Sequence, residues 1–72
     1  MCMKYYEGKN NNIYFSISDD GLTVHESFSI INRRKVQENK PPFLLSETLA
    51  ENLDGLIKLY DLHEIESLPK EY

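Results

Sequence analysis

A chain of 72 residues with eight Lys/Arg, twelve Asp/Glu and a net charge of −4 has room for one small domain and no more. Its 40% hydrophobic and 28% charged content exclude a disordered chain, and no apolar run approaches the roughly 18 residues of a membrane span. The single cysteine, Cys2, excludes an internal disulfide framework and a multi-cysteine zinc site.

The N-terminus lacks an apolar leader core, so the expectation is a cytoplasmic protein with no membrane partner. A chain this short buries only roughly 60% of its unfolded surface, which makes it marginal alone and favours self-association. Charge is uneven: residues 1–45 carry six Lys/Arg against five Asp/Glu, and residues 46–72 carry two against seven. A net acidic chain is a poor fit to nucleic acid or to an anionic membrane.

Met1 to Glu7 alternates Met1, Met3, Tyr5 against Cys2, Lys4, Tyr6 and reads as a first strand over about 2–7. Gly8, Lys9 and Asn10 supply turn chemistry. A three-residue loop there pairs Tyr5 with Ile13 and Met3 with Phe15, so Met3 and Tyr5 join the apolar face.

The stretch from Ile13 to Ile31 organises the chain. Two alternating runs, over 13–18 and about 22–31, flank Asp20-Gly21, a favoured pair for a two-residue hairpin turn. That turn pairs Ile17 with Val24, Ser16 with His25, Phe15 with Glu26, Tyr14 with Ser27 and Ile13 with Phe28. Opposed residues share a face. One face then carries Ile13, Phe15, Ile17, Leu22, Val24, Phe28 and Ile30. The other carries Tyr14, Ser16, Ser18, Thr23, His25, Ser27 and Ser29. Glu26 is the exception, a carboxylate on the apolar face unless a bulge turns it outward.

Residues 32–45 read as a connecting loop, with the basic cluster Arg33, Arg34, Lys35 at its start, Val36 able to continue the strand, and Pro41-Pro42 near its end. A helix is expected over about 47–61. Ser46 serves as its N-cap with Leu45 stapled to Ala50, or Thr48 caps it with Glu51 completing a capping box. Leu49, Leu53, Leu56, Ile57 and Tyr60 fall at helical spacing, with Leu59 at the edge of their arc. Gly55 either admits a close neighbour or weakens the helix by about 1 kcal/mol. The phase breaks after Tyr60, so 62–72 reads as a tail with a short turn. The expected fold is α+β: a three-stranded antiparallel meander with one C-terminal amphipathic helix on one face, two layers in the order β-β-β-α over residues 1–72.

Candidate chemistry is thin. Cys2, Ser16 and His25 share a row on the outer face in this register. They lack the four ligands of a structural zinc site and the third group of a nucleophilic triad. The expectation is a non-enzymatic chain with no cofactor and no metal. The surfaces are more informative. Exposed tyrosines are interface anchors, so the outer sheet face with Lys4, Tyr6, Tyr14 and His25 is a candidate partner-binding surface. The acidic helix face of Glu47, Glu51, Asp54 and Asp61 is a second, suited to a basic groove. The small size and the Lys/Asn/Ile/Tyr-rich composition match the style of proteins from phages and other mobile elements. That turns the expectation toward an acidic inhibitor or regulator of a nucleic-acid-processing protein. The competing classes are a single-stranded nucleic-acid binder using Tyr6, Tyr14 and Arg33, Arg34, Lys35, and a homodimeric subunit of a larger complex.

Overall fold

The computed structural model describes residues 2–10, 12–37 and 40–70. The expected loop at residues 38 and 39, the tail at 71 and 72, the face given to Met1 and the turn residue at 11 lie outside the described residues. Among the described residues six strands, one 3₁₀ turn and one helix make an α+β fold: β1 (Met3–Gly8), β2 (Ile13–Ser18), β3 (Thr23–Ile31), β4 (Arg34–Gln37), β5 (Phe43–Leu44), the 3₁₀ turn Leu45–Glu47, α1 (Leu53–Tyr60) and β6 (Leu62–Ile65). The sheet is antiparallel in the order β4-β3-β2-β1-β6, and β5 pairs with the other end of β3. The expected three-stranded meander is therefore its centre. The helix is shorter than 47–61 and is followed by a strand, so it does not end the fold.

Two registers decide which residues face the helix. Ile17 pairs with Val24 as the turn chemistry requires, but Ser16 pairs with Glu26, so His25 is an extra residue on β3. This bulge bends the ladder by one position and reverses the faces of everything beyond it. Phe15 now opposes Ser27, Tyr14 opposes Phe28 and Ile13 opposes Ser29. Ser27 and Ser29 turn inward and Phe28 outward, the reverse of the expected set. Glu26 is exposed on the outer face, so no carboxylate enters the core there.

The first strand is reversed as well. Glu7 pairs with Tyr14 and Tyr6 with Phe15. The connection is one residue longer than the expected three-residue loop, because Gly8 still opposes Ile13 in this ladder. Tyr6 and Lys4 therefore face the helix, and Met3, Tyr5 and Glu7 face away. Tyr6, expected outside, is 6% exposed in the core.

The hairpin tip also differs from a two-residue turn. Gly21 N–H donates to the Ser18 carbonyl at 2.9 Å, and Gly21 has φ 77° while Asp20 does not enter the left-handed region. Asp20 instead accepts from the Ser18 hydroxyl at 2.5 Å and from Leu22 N–H at 3.0 Å. Those donors, the Ser18 hydroxyl first, hold its carboxyl below the usual carboxylate range. A tight two-residue turn does occur, between β3 and β4, where Asn32 and Arg33 have φ 52° and 62° and Ile31 pairs with Arg34. Positive φ at both centres matches the strand twist. Only Asn32 of the two tolerates it well.

The core lies between the inner sheet face and α1. Tyr6, Ile13, Phe15, Ile17, Val24, Leu45, Leu56 and Leu62 are buried together, with Phe43, Ala50, Leu53, Ile57 and Tyr60 packed against them. Burial of each large apolar side chain contributes roughly 1.5–3 kcal/mol. Leu53, Leu56, Ile57 and Tyr60 recur at helical spacing, so that stripe is the one expected. Leu49 is not part of it: the helix starts four residues later.

That late start has a local cause. Thr48 ends the 3₁₀ turn, donating through its hydroxyl to the Leu45 carbonyl at 2.7 Å and accepting from Ala50 N–H at 3.2 Å. Glu51 then takes φ 69° and reverses the chain. Asn52 caps α1 by accepting from Gly55 N–H at 2.8 Å. Neither Ser46 nor Thr48 caps the helix. The tight turn drives the Ala50 carbonyl against Gly55, where an added Cβ would sit 2.0 Å from that oxygen. Gly55 is therefore the residue that lets the turn fold onto the helix. Asp61 closes α1 in the left-handed region, its N–H on the Ile57 carbonyl, and β6 then runs back along β1.

Two substitutions check this account in urea unfolding. Gly55→Ala should destabilise by about 2 kcal/mol or more, because backbone must move to admit the methyl. Arg33→Gly should stabilise on the order of 0.5 kcal/mol, the relief of a left-handed arginine less the entropy cost of glycine.

Candidate interaction surfaces

The outer sheet face carries one continuous row of side chains. The ladders place Phe28, Tyr14, Glu7 and His63 side by side on β3, β2, β1 and β6. The Tyr14 and Phe28 rings stack at 5.4 Å, and Lys35 Nζ lies 4.6 Å from the centre of the Phe28 ring. Tyr14 Oη donates to Glu7 Oε2 at 2.6 Å, and His63 Nε2 lies 3.0 Å from Glu7 Oε1. One carboxylate thus ties the edge strand β6 to the centre of the sheet. His63 Nδ1 is buried without a hydrogen-bond partner among the described residues.

The hydrogen bond to Glu7, with burial and the carboxylate charge adding to it, pushes the Tyr14 hydroxyl up to about 12. A tyrosine held this way is a poor proton donor, and the row acts as a latch between strands. Burial, and then the charge of Glu64, also raises Tyr6.

The residues expected on a shared outer face do not come together. Lys4 and Tyr6 lie on the helix side. Tyr14 does face outward, yet it is only 9% exposed beneath its neighbours. His25 is exposed at the bulge. Arg33 sits in the turn, and Arg34 and Lys35 in the exposed strand β4. Lys35 bends over Phe28 beside a cleft of about 340 Å³ shared with Tyr5, Glu26 and the segment 67–70.

The acidic set is divided too. Glu47 belongs to the 3₁₀ turn, Glu51 to the left-handed turn, Asp54 to the first turn of α1 and Asp61 to its cap. All four are exposed. They would have aligned only on a helix running unbroken from 47.

A surface of another kind lies beside α1. A groove of about 530 Å³ runs between the helix and the segment 40–50, with Phe15, Phe43, Leu56 and Tyr60 among its lining residues. Leu44, Leu49 and Leu59 border it and are 44%, 99% and 60% exposed. Lys40 and Glu47 line it as well. In sequence, Phe43-Leu44-Leu45 reads as apolar surface beyond what one helix covers, open to a second copy or a foreign partner. Phe43 and Leu44 do line the groove, Leu45 is buried, and Leu49, given to the core by helical phase, lies outside that core.

No protein-family model matches the chain, and it finds no significant match among curated proteins or solved structures. Among the described residues no helix is long and apolar enough to cross a membrane.

The latch predicts an alkaline signature. Because the Tyr14 hydroxyl sits above its ordinary value of 10.0, its contact stabilises the fold fully below pH 10 and is lost as pH rises through about 12. The stability of the native chain should fall across that window by more than that of Tyr14→Phe, measured by urea unfolding at each pH. Tyr6 titrates in both proteins and cancels in the difference.

Proposed function

We propose that the chain is a small non-enzymatic protein-binding module whose contact surface is the groove beside α1. The observation that carries this reading is the ring of exposed leucines, Leu44, Leu49 and Leu59, around a floor of core aromatics. Single exposed leucines are ordinary, but three around one concavity make an apolar patch of the kind that marks interaction sites. The pocket size suits one or two apolar side chains of a partner, the anchor-in-pocket arrangement of binding hot spots.

The outer sheet face supports a binding role less well. Tyr6 is enclosed, and Tyr14 is stacked and hydrogen-bonded, so no pair of free rings is left there to stack on bases. The acidic-inhibitor form of the reading draws on Glu47, the one member of the acidic set that borders the groove. In that form the partner presents an apolar anchor beside a basic residue.

Affinity capture from a lysate of the expressing cells tests both parts. Wild type should retain a protein that Leu44→Ser/Leu59→Ser loses, with an unfolding free energy within about 0.5 kcal/mol because both side chains are exposed. Equal capture by the two would overturn the groove as the contact surface. Glu47→Lys should weaken the same capture and reduce its dependence on salt; an unchanged salt dependence would remove the acidic-inhibitor form.

A further inference from the structure

We propose that the groove is filled by a second copy of this chain, so that Leu49 of each copy seats in the groove of the other; this rests on the reading of the groove as a contact surface. The argument begins with Leu49. A side chain 99% exposed on a loose loop would mean little. Leu49 is instead held by a braced turn, with Glu51 N–H on the Thr48 carbonyl at 3.2 Å and Asn52 N–H on the Ala50 carbonyl at 2.7 Å. The Thr48 hydroxyl and the Ala50–Gly55 contact brace it further. The fold thus presents an exposed apolar knob, on a hydrogen-bonded turn, at the lip of an apolar hole.

Knob and hole on the same face are what a two-fold pair requires. In a closed dimer the same patch serves both partners, and residue i of one meets residue j of the other twice. The rim charges fit the same operation. Lys40 and Glu47 border the groove with opposite signs. Among the described residues the one carboxylate–base contact at salt-bridge distance is Glu7–His63, so neither rim charge is paired with another described residue. In the proposed pair Lys40 of each copy meets Glu47 of the other, so that the two signs on the rim complement each other. A small fold with limited core also gains the burial it lacks.

Sedimentation equilibrium of the full chain in reducing buffer, which keeps the exposed Cys2 thiols from linking copies, tests the proposal. A reversible monomer–dimer equilibrium is expected for wild type. Leu49→Asp should weaken it by about tenfold or more, and circular dichroism should be unchanged because the side chain touches little of its own fold. Lys40→Glu and Glu47→Lys should each weaken association, and the double exchange should restore it. A wild-type monomer at all concentrations up to about 1 mM overturns the proposal. So does a dimer indifferent to Leu49→Asp and to both charge changes. If the chain is monomeric while the capture experiment still loses its protein with Leu44→Ser/Leu59→Ser, the second copy is excluded and the groove as a site for a foreign protein stands.

Discussion

The extra residue that β3 carries at His25 determines which way every side chain beyond it points. Before the bulge, Val24 meets Ile17 and both enter the core. After it, an apolar side chain, Phe28, is sent to the outer face and two serines replace it inside. The outer face then needs cover for an aromatic ring. Tyr14 stacks on that ring, Lys35 lies over it, and Glu7 binds the hydroxyl of Tyr14. The sheet is consequently packed on both sides: a larger core under α1, and a smaller aromatic layer opposite.

The parity of connections explains what could be read from the residues and what could not. Alternation showed three strands and the stripe Leu53, Leu56, Ile57, Tyr60 because those patterns follow from strand and helix periods alone. Faces could not be assigned with the same security. They depend on whether a loop or strand holds an odd or even number of residues, and one residue reverses them all. The four-residue connection after Gly8 and the bulge at His25 each made that difference. β6 was concealed because Leu62, Ile65 and Leu68 step by three, which looks like a turn until β1 offers an edge. The place of Leu49 on the groove was concealed by a capping choice. Thr48 and Ser46 are good caps by type, but Thr48 is occupied closing the turn, and Asn52 takes the role.

The same turn links fold and surface. Gly55 leaves room for the Ala50 carbonyl, the chain doubles back at Glu51, and Leu49 is left outside, almost fully exposed. A continuous helix from 47 would have tucked Leu49 against the sheet and aligned Glu47, Glu51 and Asp54. A broken one gives up that burial and opens a concavity floored by Phe15 and Phe43.

β6 has a consequence for the order in which this chain can fold as it is made. Its hydrogen-bonding partner, β1, lies more than fifty positions upstream. A ribosome delivers β1, β2 and β3 first, and these can form hairpins at once, since their pairings are local. One margin of β1 then stays bare until α1 has wound and Asp61 has turned the backbone around. Lys9 N–H, which reaches the Asp61 carbonyl at 3.3 Å, waits for the same event. The nascent sheet therefore passes through a stage with an open margin on β1, and closing it is the step that joins the early and late halves of synthesis.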